Sequence, residues 1–251
     1  MPTGTPGVAV GVDVGGTFTD VVAISDGEIE VAKTPSTPDA PEQGVLDGLE
    51  VLQDQTEVGL GAVDGLTHGT TVATNAVLER DWAETALVTT AGFRDALEIG
   101  RQDRPAIYDF GAEKPPPVVP RNRRYEVTER VDERGRVVTD LDEAEVRAVA
   151  RDLADANVES VAVSLLFAFE NDAHERRVAE ILAEEGEGLD ANVSVSSRVL
   201  PEIREYERSL ATALDAALEP VVGGYLHRLQ AALGPTALDA DLRLMQSNGG
   251  I

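Results

Sequence analysis

The chain has no cysteine in its 251 residues and only two lysines, Lys33 and Lys114. The first absence excludes a disulfide, a thiolate zinc site and a cysteine nucleophile, and it fits a reducing interior. The second belongs to a lopsided charge balance, with 46 Asp and Glu against 21 Lys and Arg and a formal net charge of −25. Nucleic acid and anionic membrane are excluded as partners on this reading, because phosphate binding needs clustered Lys and Arg. So acidic a surface repels itself unless salt screens it, and the Debye length falls to about 3 Å at 1 M. The expectation is a halophilic, salt-rich cytoplasm. The start of the chain carries no basic n-region, and the first apolar run is too short for a signal peptide or membrane span, which also points to a cytoplasmic protein. There is no low-complexity tract and no internal repeat.

What is present suits a folded protein. Hydrophobic residues make up 42% and charged residues 27%, and the length allows one large or two modest domains. From Val8 to Ile24, two β-branched apolar runs flank a Gly15-Gly16-Thr17 corner, which reads as strand, turn, strand. Gly15 and Gly16 leave main-chain N–H groups uncovered, so an anion can approach the backbone closely. Thr17 and Thr19 add hydroxyls. Asp13 and Asp20 bracket the corner with carboxylates able to hold a hydrated Mg²⁺, a hard cation that prefers oxygen and keeps its waters. The plainer alternative is a β-hairpin whose glycines merely make the turn.

The rest of the chain reads as alternating strands and helices. Asp26-Gly27 between apolar runs signals a hairpin, giving a three-stranded antiparallel start over residues 8–33. Val45, Leu46, Leu49 and Leu52 form one apolar stripe of a helix that Gly44 and Gly48 weaken. A strand over 63–68 runs through Gly69-Thr70-Thr71 into a helix over 72–79, which places bare amides and hydroxyls at a helix N-terminus. Thr70 or Thr71 is there as an N-cap or as a ligand contact. His68 is either a packed histidine or one of a set with Thr70, Thr71, Thr74 and Asn75 that faces a cleft.

Residues 85–89 make a buried strand, with a short helix to Ile99. Arg101 and Arg104 either clamp an anion or balance the acidic surface. The stiff stretch 114–120 is a candidate linker or subdomain crossing. Strands over 124–131 and 137–139, a helix over 140–157, a central strand over 158–167, a helix to about residue 185 and a strand over 193–196 give an α/β layer on a mostly parallel sheet. A long helix to about Leu233 is expected to be interrupted at Pro220. Its first charges, Glu202, Arg204, Glu205, Glu207 and Arg208, read mainly as a solvated face. A strand over 242–245 leads into Gln246-Ser247-Asn248-Gly249-Gly250.

The string Asp13-Val14-Gly15-Gly16-Thr17-Phe18-Thr19-Asp20 resembles the first phosphate loop of the actin/sugar-kinase/Hsp70 ATPase superfamily, and of the hydantoinase/oxoprolinase family in particular. The stretches His68–Asn75, Gly92-Phe93-Arg94-Asp95, Leu200–Arg208 and Met245–Gly250 resemble the same family, in the same order. The resemblance implies an α/β fold, a ribonuclease H-like or actin-like ATPase lobe with a β-hairpin start and mixed sheet, plus an α/β layer. No second Asp-x-Gly-Gly-Thr occurs, so the chain is expected to be part of a two-lobed protein. The expected divisions are 8–113 for the lobe with the phosphate loop, 121–200 for an α/β subdomain, and 201–251 for the long helix and the start of a connection to a second lobe.

The activity implied is ATP-dependent opening of a cyclic amide, a hydantoin or 5-oxoproline, through phosphorylation of its carbonyl, with ATP and Mg²⁺ or Mn²⁺ as cofactors. In those terms Asp13 holds metal-bound water, and Gly15, Gly16, Thr17 and Thr19 cradle phosphate. Asp20 is a second metal-side or orienting carboxylate, and His68, Thr70, Thr71 and Asn75 lie on the substrate side. A hydantoinase B-type subunit is the implied partner, and an oligomer is compatible. The alternatives are an ATP-dependent ketone carboxylase subunit, a sugar-kinase-like phosphotransferase, and a non-catalytic lobe that binds a partner subunit.

Overall fold

Asp26 and Gly27 close the first hairpin with φ of 54° and 84°, the paired positive φ values that an Asp-Gly turn supplies with the right twist. They join β2 (Phe18–Ser25) to β3 (Glu28–Pro35), and β2 pairs antiparallel with β1 (Val8–Val14). This is a computed structural model, and it describes residues 8–56, 59–103, 105–109, 111–185, 189–234, 241–246 and 250. The chain divides into two compact units, Met1–Arg80 with Val221–Ile251, and Asp81–Pro220. These boundaries differ from the divisions expected from sequence, near 113–121 and at 200.

In the first unit, β4 (Val63–Thr70) runs parallel to β1, and β11 (Asp241–Leu244) runs parallel to β4. The sheet is therefore mixed, in the order β11-β4-β1-β2-β3. Period-two alternation turns Val10, Val12, Val14, Val21, Ala23 and Leu66 to a buried face. Helix α1 (Pro41–Gln55) packs there through Val45, Leu49 and Leu52. Gly44 and Gly48 prove to be contact residues of α1 as well as poor helix formers. A Cβ on Gly48 would lie 2.6 Å from Val21 Cγ2, and one on Gly44 would lie 3.0 Å from Thr19 Oγ1. The glycines let the helix seat close to β2, where a side chain would hold it off.

In the second unit, β5 (Thr85–Thr90), β6 (Arg124–Val127), β9 (Ser160–Ser164) and β10 (Asn192–Val195) form an all-parallel sheet in the order β10-β9-β5-β6. Both its faces are covered, so β5 and β9 are continuously buried and show no alternation. One face meets α4 (Glu143–Asp155) and α5 (Ala173–Glu184). The other carries Leu97 of α3 (Ala96–Ile99), Val119, and Ala213 and Ala216 of α7 (Glu205–Leu233). The stretch 114–120 lies inside this unit and does not join the two units; Val119 at its end is fully buried, while Lys114, Pro115 and Pro116 are exposed. The strand expected over 124–131 splits: β7 (Arg130–Val131) leaves the parallel sheet to pair with β8 (Val137–Thr139). Asp142 caps α4 by accepting from the N–H groups of Ala144 and Glu145.

Helix α7 continues through Pro220, where an interruption was expected. Proline removes one N–H and crowds the preceding turn. The carbonyl of Ala217, within that turn, accepts the Ala83 N–H at 3.0 Å. A short helix, α6 (Ser196–Val199), precedes α7.

Candidate functional site

The face of the first sheet opposite α1 carries one row of register partners across four strands. Gly69 of β4 pairs with Asp13 of β1, Asp13 with Asp20 of β2, and Asp20 with Lys33 of β3. Direct cross-strand partners share a face, so both carboxylates and the ammonium stand side by side. Gly69 makes room for the first of them, since a Cβ there would lie 2.9 Å from Asp13 Oδ1. Asp13 is exposed. Asp20 is bridged by Lys33, with Nζ 2.6 Å from Oδ1 and 4.9 Å from the centroid of the Phe18 ring.

At the end of this row lies the glycine corner. The Gly15 N–H is taken by Phe18 O at 3.1 Å, and the Gly15 carbonyl accepts from Ser36 Oγ at 2.7 Å. Gly15 therefore belongs to the turn, and its amide is not the free donor expected from sequence. Gly16 differs. Its φ is not positive, and a Cβ built on it would meet nothing within 4 Å. Neither backbone strain nor crowding calls for glycine at position 16, and what the residue supplies is bare, exposed main chain beside Thr17, which is also exposed.

Thr19 lies on the opposite face. It is fully buried and shares a 3.1 Å hydrogen bond with Ser36 Oγ beneath α1. Its side chain braces the loop from below, so the expected phosphate contact is not its geometry. The period of two explains this: Thr19 pairs with Val14, and Asp20 with Asp13.

His68 too is on the core face, opposite Val12, and only 1% exposed. Its Nδ1 is 3.2 Å from Val12 O and its Nε2 2.6 Å from Tyr225 Oη, which occupies both ring nitrogens. The carbonyl can only accept, so Nδ1 carries the proton and the Tyr225 hydroxyl donates to Nε2. Burial lowers the His68 pKa, outweighing the Val12 hydrogen bond and the Asp13 charge. Burial pushes the Tyr225 hydroxyl up to about 12. His68 thus takes the packed role of the two open to it.

Thr70 and Thr71 stand where β4 passes into α2 (Val72–Glu79). Thr70 Oγ1 accepts the Val72 N–H at 3.2 Å, while Thr71 Oγ1 donates to Val14 O at 3.4 Å. Asn75 Nδ2 reaches Thr71 Oγ1 at 3.4 Å, and Asn75 and Thr74 are exposed. These contacts place the start of α2 beside the residue that precedes Gly15. Asp13, Gly16, Thr17, Thr71 and Asn75 accordingly gather at the C-terminal ends of the parallel pair β1 and β4, where ligands of such sheets bind. Among the described residues no three His, Asp or Glu side chains converge as a metal-ligand set. Mg²⁺ needs fewer, being held through one or two carboxylates, water and phosphate oxygens, and exposed Asp13 above Gly69 meets that requirement.

In the second unit, Arg101 is engaged in an exposed ion pair with Glu207, 2.7 Å apart, which matches the surface reading of that arginine. Arg104 and Ser247-Asn248-Gly249 lie outside the described residues. Arg208, read from sequence as part of a solvated face, is 1% exposed and donates from Nη2 to Leu165 O at 2.8 Å. Glu175 also went unread. It is fully buried and accepts from Leu165 N, Ser196 Oγ and Ser197 N. Lys33 did have a signal, since one of only two lysines sits within the phosphate-loop hairpin. No helix among the described residues is long and apolar enough to cross a membrane.

A family profile described as the hydantoinase/oxoprolinase N-terminal region matches residues 9–186. The acetophenone carboxylase gamma subunit of Aromatoleum aromaticum is 38% identical over 226 residues, 84% of this chain and 31% of that protein. The caprolactamase subunit alpha of Pseudomonas jessenii is 33% identical over 249 residues, 96% of this chain and 36% of its own. The 5-oxoprolinase of Saccharomyces cerevisiae is 34% identical over 285 residues, 97% of this chain and 22% of its own. Two solved structures share the fold. Acetone carboxylase, in a nucleotide-free structure concerned with ATP-dependent carboxylation, gives a TM-score of 0.85 at 29% identity, over 98% of this chain and 37% of that one. The ATP-dependent caprolactamase of Pseudomonas jessenii gives 0.84 at 33% identity, over 96% and 36%. The chain thus spans about a third of the length of these solved relatives.

Proposed function

This chain belongs to the hydantoinase/oxoprolinase family, and from that premise we propose that it forms the phosphate-loop portion of an enzyme that uses ATP to open a cyclic amide. The observation that carries this reading is Gly16, a glycine the fold does not need, which presents bare main chain beside an exposed acid. Backbone N–H groups in such a corner suit the terminal oxygens of a nucleotide.

A lactam carbonyl is a poor electrophile. Transfer of the γ-phosphoryl group to its oxygen, with departure of ADP, turns that oxygen into a leaving group. Water then adds at the carbon, the ring nitrogen takes up a proton and the C–N bond breaks to leave an acyl phosphate. A second water splits that to the open-chain carboxylate and phosphate. Bound Mg²⁺ supplies neutralisation of phosphoryl charge during the transfer. Asp13, exposed above Gly69, would hold the ion through its waters. Lys33 takes up the charge of Asp20, so that only one acid of the pair stands unneutralised near the phosphates. Thr17 and the Gly16 main chain hold the phosphate, and Thr71 and Asn75 border it. The setting is cytoplasmic, and a partner subunit completes the reaction, in keeping with the subunit names of the relatives.

A second reading is ATP-dependent carboxylation of a ketone, favoured by two relatives that are carboxylases. The same phosphate loop would then activate a different acceptor. The two separate on substrate: ATP hydrolysis that depends on a lactam supports the first, and ATP hydrolysis that needs ketone and bicarbonate supports the second.

The test of the shared core is Gly16→Ala in the complete enzyme. The added methyl meets nothing in the fold, so thermal stability should hold, or rise by about 0.4–1 kcal/mol through the unfolded state. Nucleotide affinity and turnover should fall at least tenfold. A variant that hydrolyses ATP as well as the parent would remove the phosphate loop from the mechanism.

A further inference from the structure

Two stretches singled out by sequence, Gly92–Asp95 and Leu200–Arg208, take no part in the phosphate loop, yet in the second unit they meet. Phe93 from the first and Ile203, Arg204 and Glu205 from the second line one groove of about 650 Å³ with Arg130, Leu166 and Phe167. Phe93 follows β5, Arg130 follows β6 and Leu166 follows β9. The groove is therefore built from loops at the C-terminal ends of three parallel strands, where open α/β sheets place their ligands.

Two of its walls are cationic and lack a counter-ion. Arg130 is partly buried, with its guanidinium over the Phe93 ring at 5.2 Å, and Arg204 is exposed. Neither enters an ion pair among the described residues, although the chain carries 46 acids against 21 bases. The acids close to them in sequence are committed elsewhere. Glu129 is buried, accepts from Thr90 Oγ1 and has its other oxygen 2.7 Å from His174 Nδ1. Glu205, the acid that lines the groove, has Oε1 3.4 Å from Arg208 Nη2. Glu207 is bridged by Arg101 at 2.7 Å.

The remaining walls are apolar, and part of the backbone that forms them is strained. Phe167 and Arg204 hold positive φ of 56° and 92°. Non-glycine residues persist in such conformations where surrounding structure imposes them, commonly at binding sites. Glycine would hold the Arg204 backbone without strain, so what arginine adds at that position is its side chain. An occupant of this groove must be anionic and must carry an apolar body. Phosphate is compact and would leave the apolar walls uncovered. A carboxylate pairs with the planar guanidinium fork through two parallel hydrogen bonds, and it can carry a ring or chain. We infer that the groove binds an organic carboxylate, with its charge on Arg130 and Arg204 and its apolar body against Phe93, Leu166 and Phe167. The inference goes beyond the cyclic-amide reading and does not depend on it, since it involves neither nucleotide nor phosphate loop.

The experiment titrates the complete enzyme by calorimetry, without nucleotide and at constant ionic strength. The probes are cyclohexanecarboxylate, the neutral cyclohexanecarboxamide and inorganic phosphate. The carboxylate should bind more tightly than either of the others by about tenfold or more, the scale of one charge-assisted hydrogen bond. The carboxamide lacks the charge and phosphate lacks the apolar body. Arg204→Gly should lower carboxylate affinity by about tenfold or more. Its thermal midpoint should hold or rise, because glycine takes a φ of 92° freely. An arginine with only a structural role would give the reverse, a lower midpoint and unchanged affinity. Arg130→Gln should weaken the carboxylate by a similar factor. No binding of the carboxylate, equal binding of the carboxamide or of phosphate, or unchanged affinity in either arginine variant overturns the site. Failure of the phosphate loop would instead show in ATP hydrolysis and leave these titrations as they are.

Discussion

The Tyr225 hydroxyl sits 2.6 Å from His68 Nε2, so a residue of the last long helix locks the tautomer of a histidine in the fourth strand. The ring is buried, neutral and protonated at Nδ1, and burial lowers its pKa. A histidine with a depressed folded pKa contributes stability that is present above its ordinary value of about 6.5 and is lost as pH falls from there through the folded value. Nitrogen-15 shifts of the imidazole should therefore report the neutral Nδ1–H form as the major one at pH 6.5, with a smaller charged fraction than a free histidine shows. Tyr225→Phe should strand Nε2 as a buried acceptor and cost about 1–3 kcal/mol. A His68 that titrates near 6.5 would contradict the buried arrangement.

Gly48→Ala tests the close approach of α1. In an exposed helix this substitution stabilises by about 0.5–1 kcal/mol. Here the new methyl would stand 2.6 Å from Val21 Cγ2, so the helix must move outward. The expected result is destabilisation by about 1–3 kcal/mol, the usual cost of overpacking, measured by urea unfolding. Beside it, Gly16→Ala should leave stability in place, although both remove a glycine.

The contrast shows how far sequence reaches. The Asp26-Gly27 turn, the alternation of β1 and β2 and the continuous apolar runs of β5 and β9 are local signals, and all were legible. The family, the mixed sheet and the parallel layer followed from them and from the motifs. Side-chain partners at long range were not. Tyr225 stands 157 positions from His68, and nothing near His68 announces it. Thr19 looked like a phosphate ligand because a string of letters does not say which face of a strand each occupies. Strict alternation from Asp13, paired to Asp20, would have placed Thr19 inside. Arg208 looked solvated because its i, i+3 neighbour Glu205 suggested a surface pair; the burial comes from the loop after β9 folding over it.

Lys33 bears on nucleotide binding more than on stability. Its bridge to Asp20 is about half exposed on both sides, 52% and 43%, and such pairs contribute about 0.2–1 kcal/mol. Lys33→Met should accordingly shift the unfolding midpoint little. It also leaves Asp20 uncompensated beside Asp13, so the complete enzyme should bind ATP more weakly, by about tenfold, or about 1.4 kcal/mol of added repulsion. A variant with lost stability and normal ATP affinity would make the bridge a structural one.

Salt should stabilise this protein over an unusually wide range. The net charge of −25 is spread over an acidic surface whose repulsion acts on the folded state more than on the expanded chain. Raising KCl from about 0.1 to 1 M shortens the Debye length from about 10 to 3 Å and removes most of that repulsion. The exposed ion pairs weaken over the same interval, among them Arg177 with Glu143 and Glu184, but each contributes at most about 1 kcal/mol. Repulsion among 46 acids set against 21 bases outweighs them. The thermal midpoint should therefore climb steadily between low salt and molar KCl, and sodium chloride should act alike because the effect is screening. A midpoint that is flat or falls with KCl would show that the ion pairs dominate, and the halophilic reading would be lost with it.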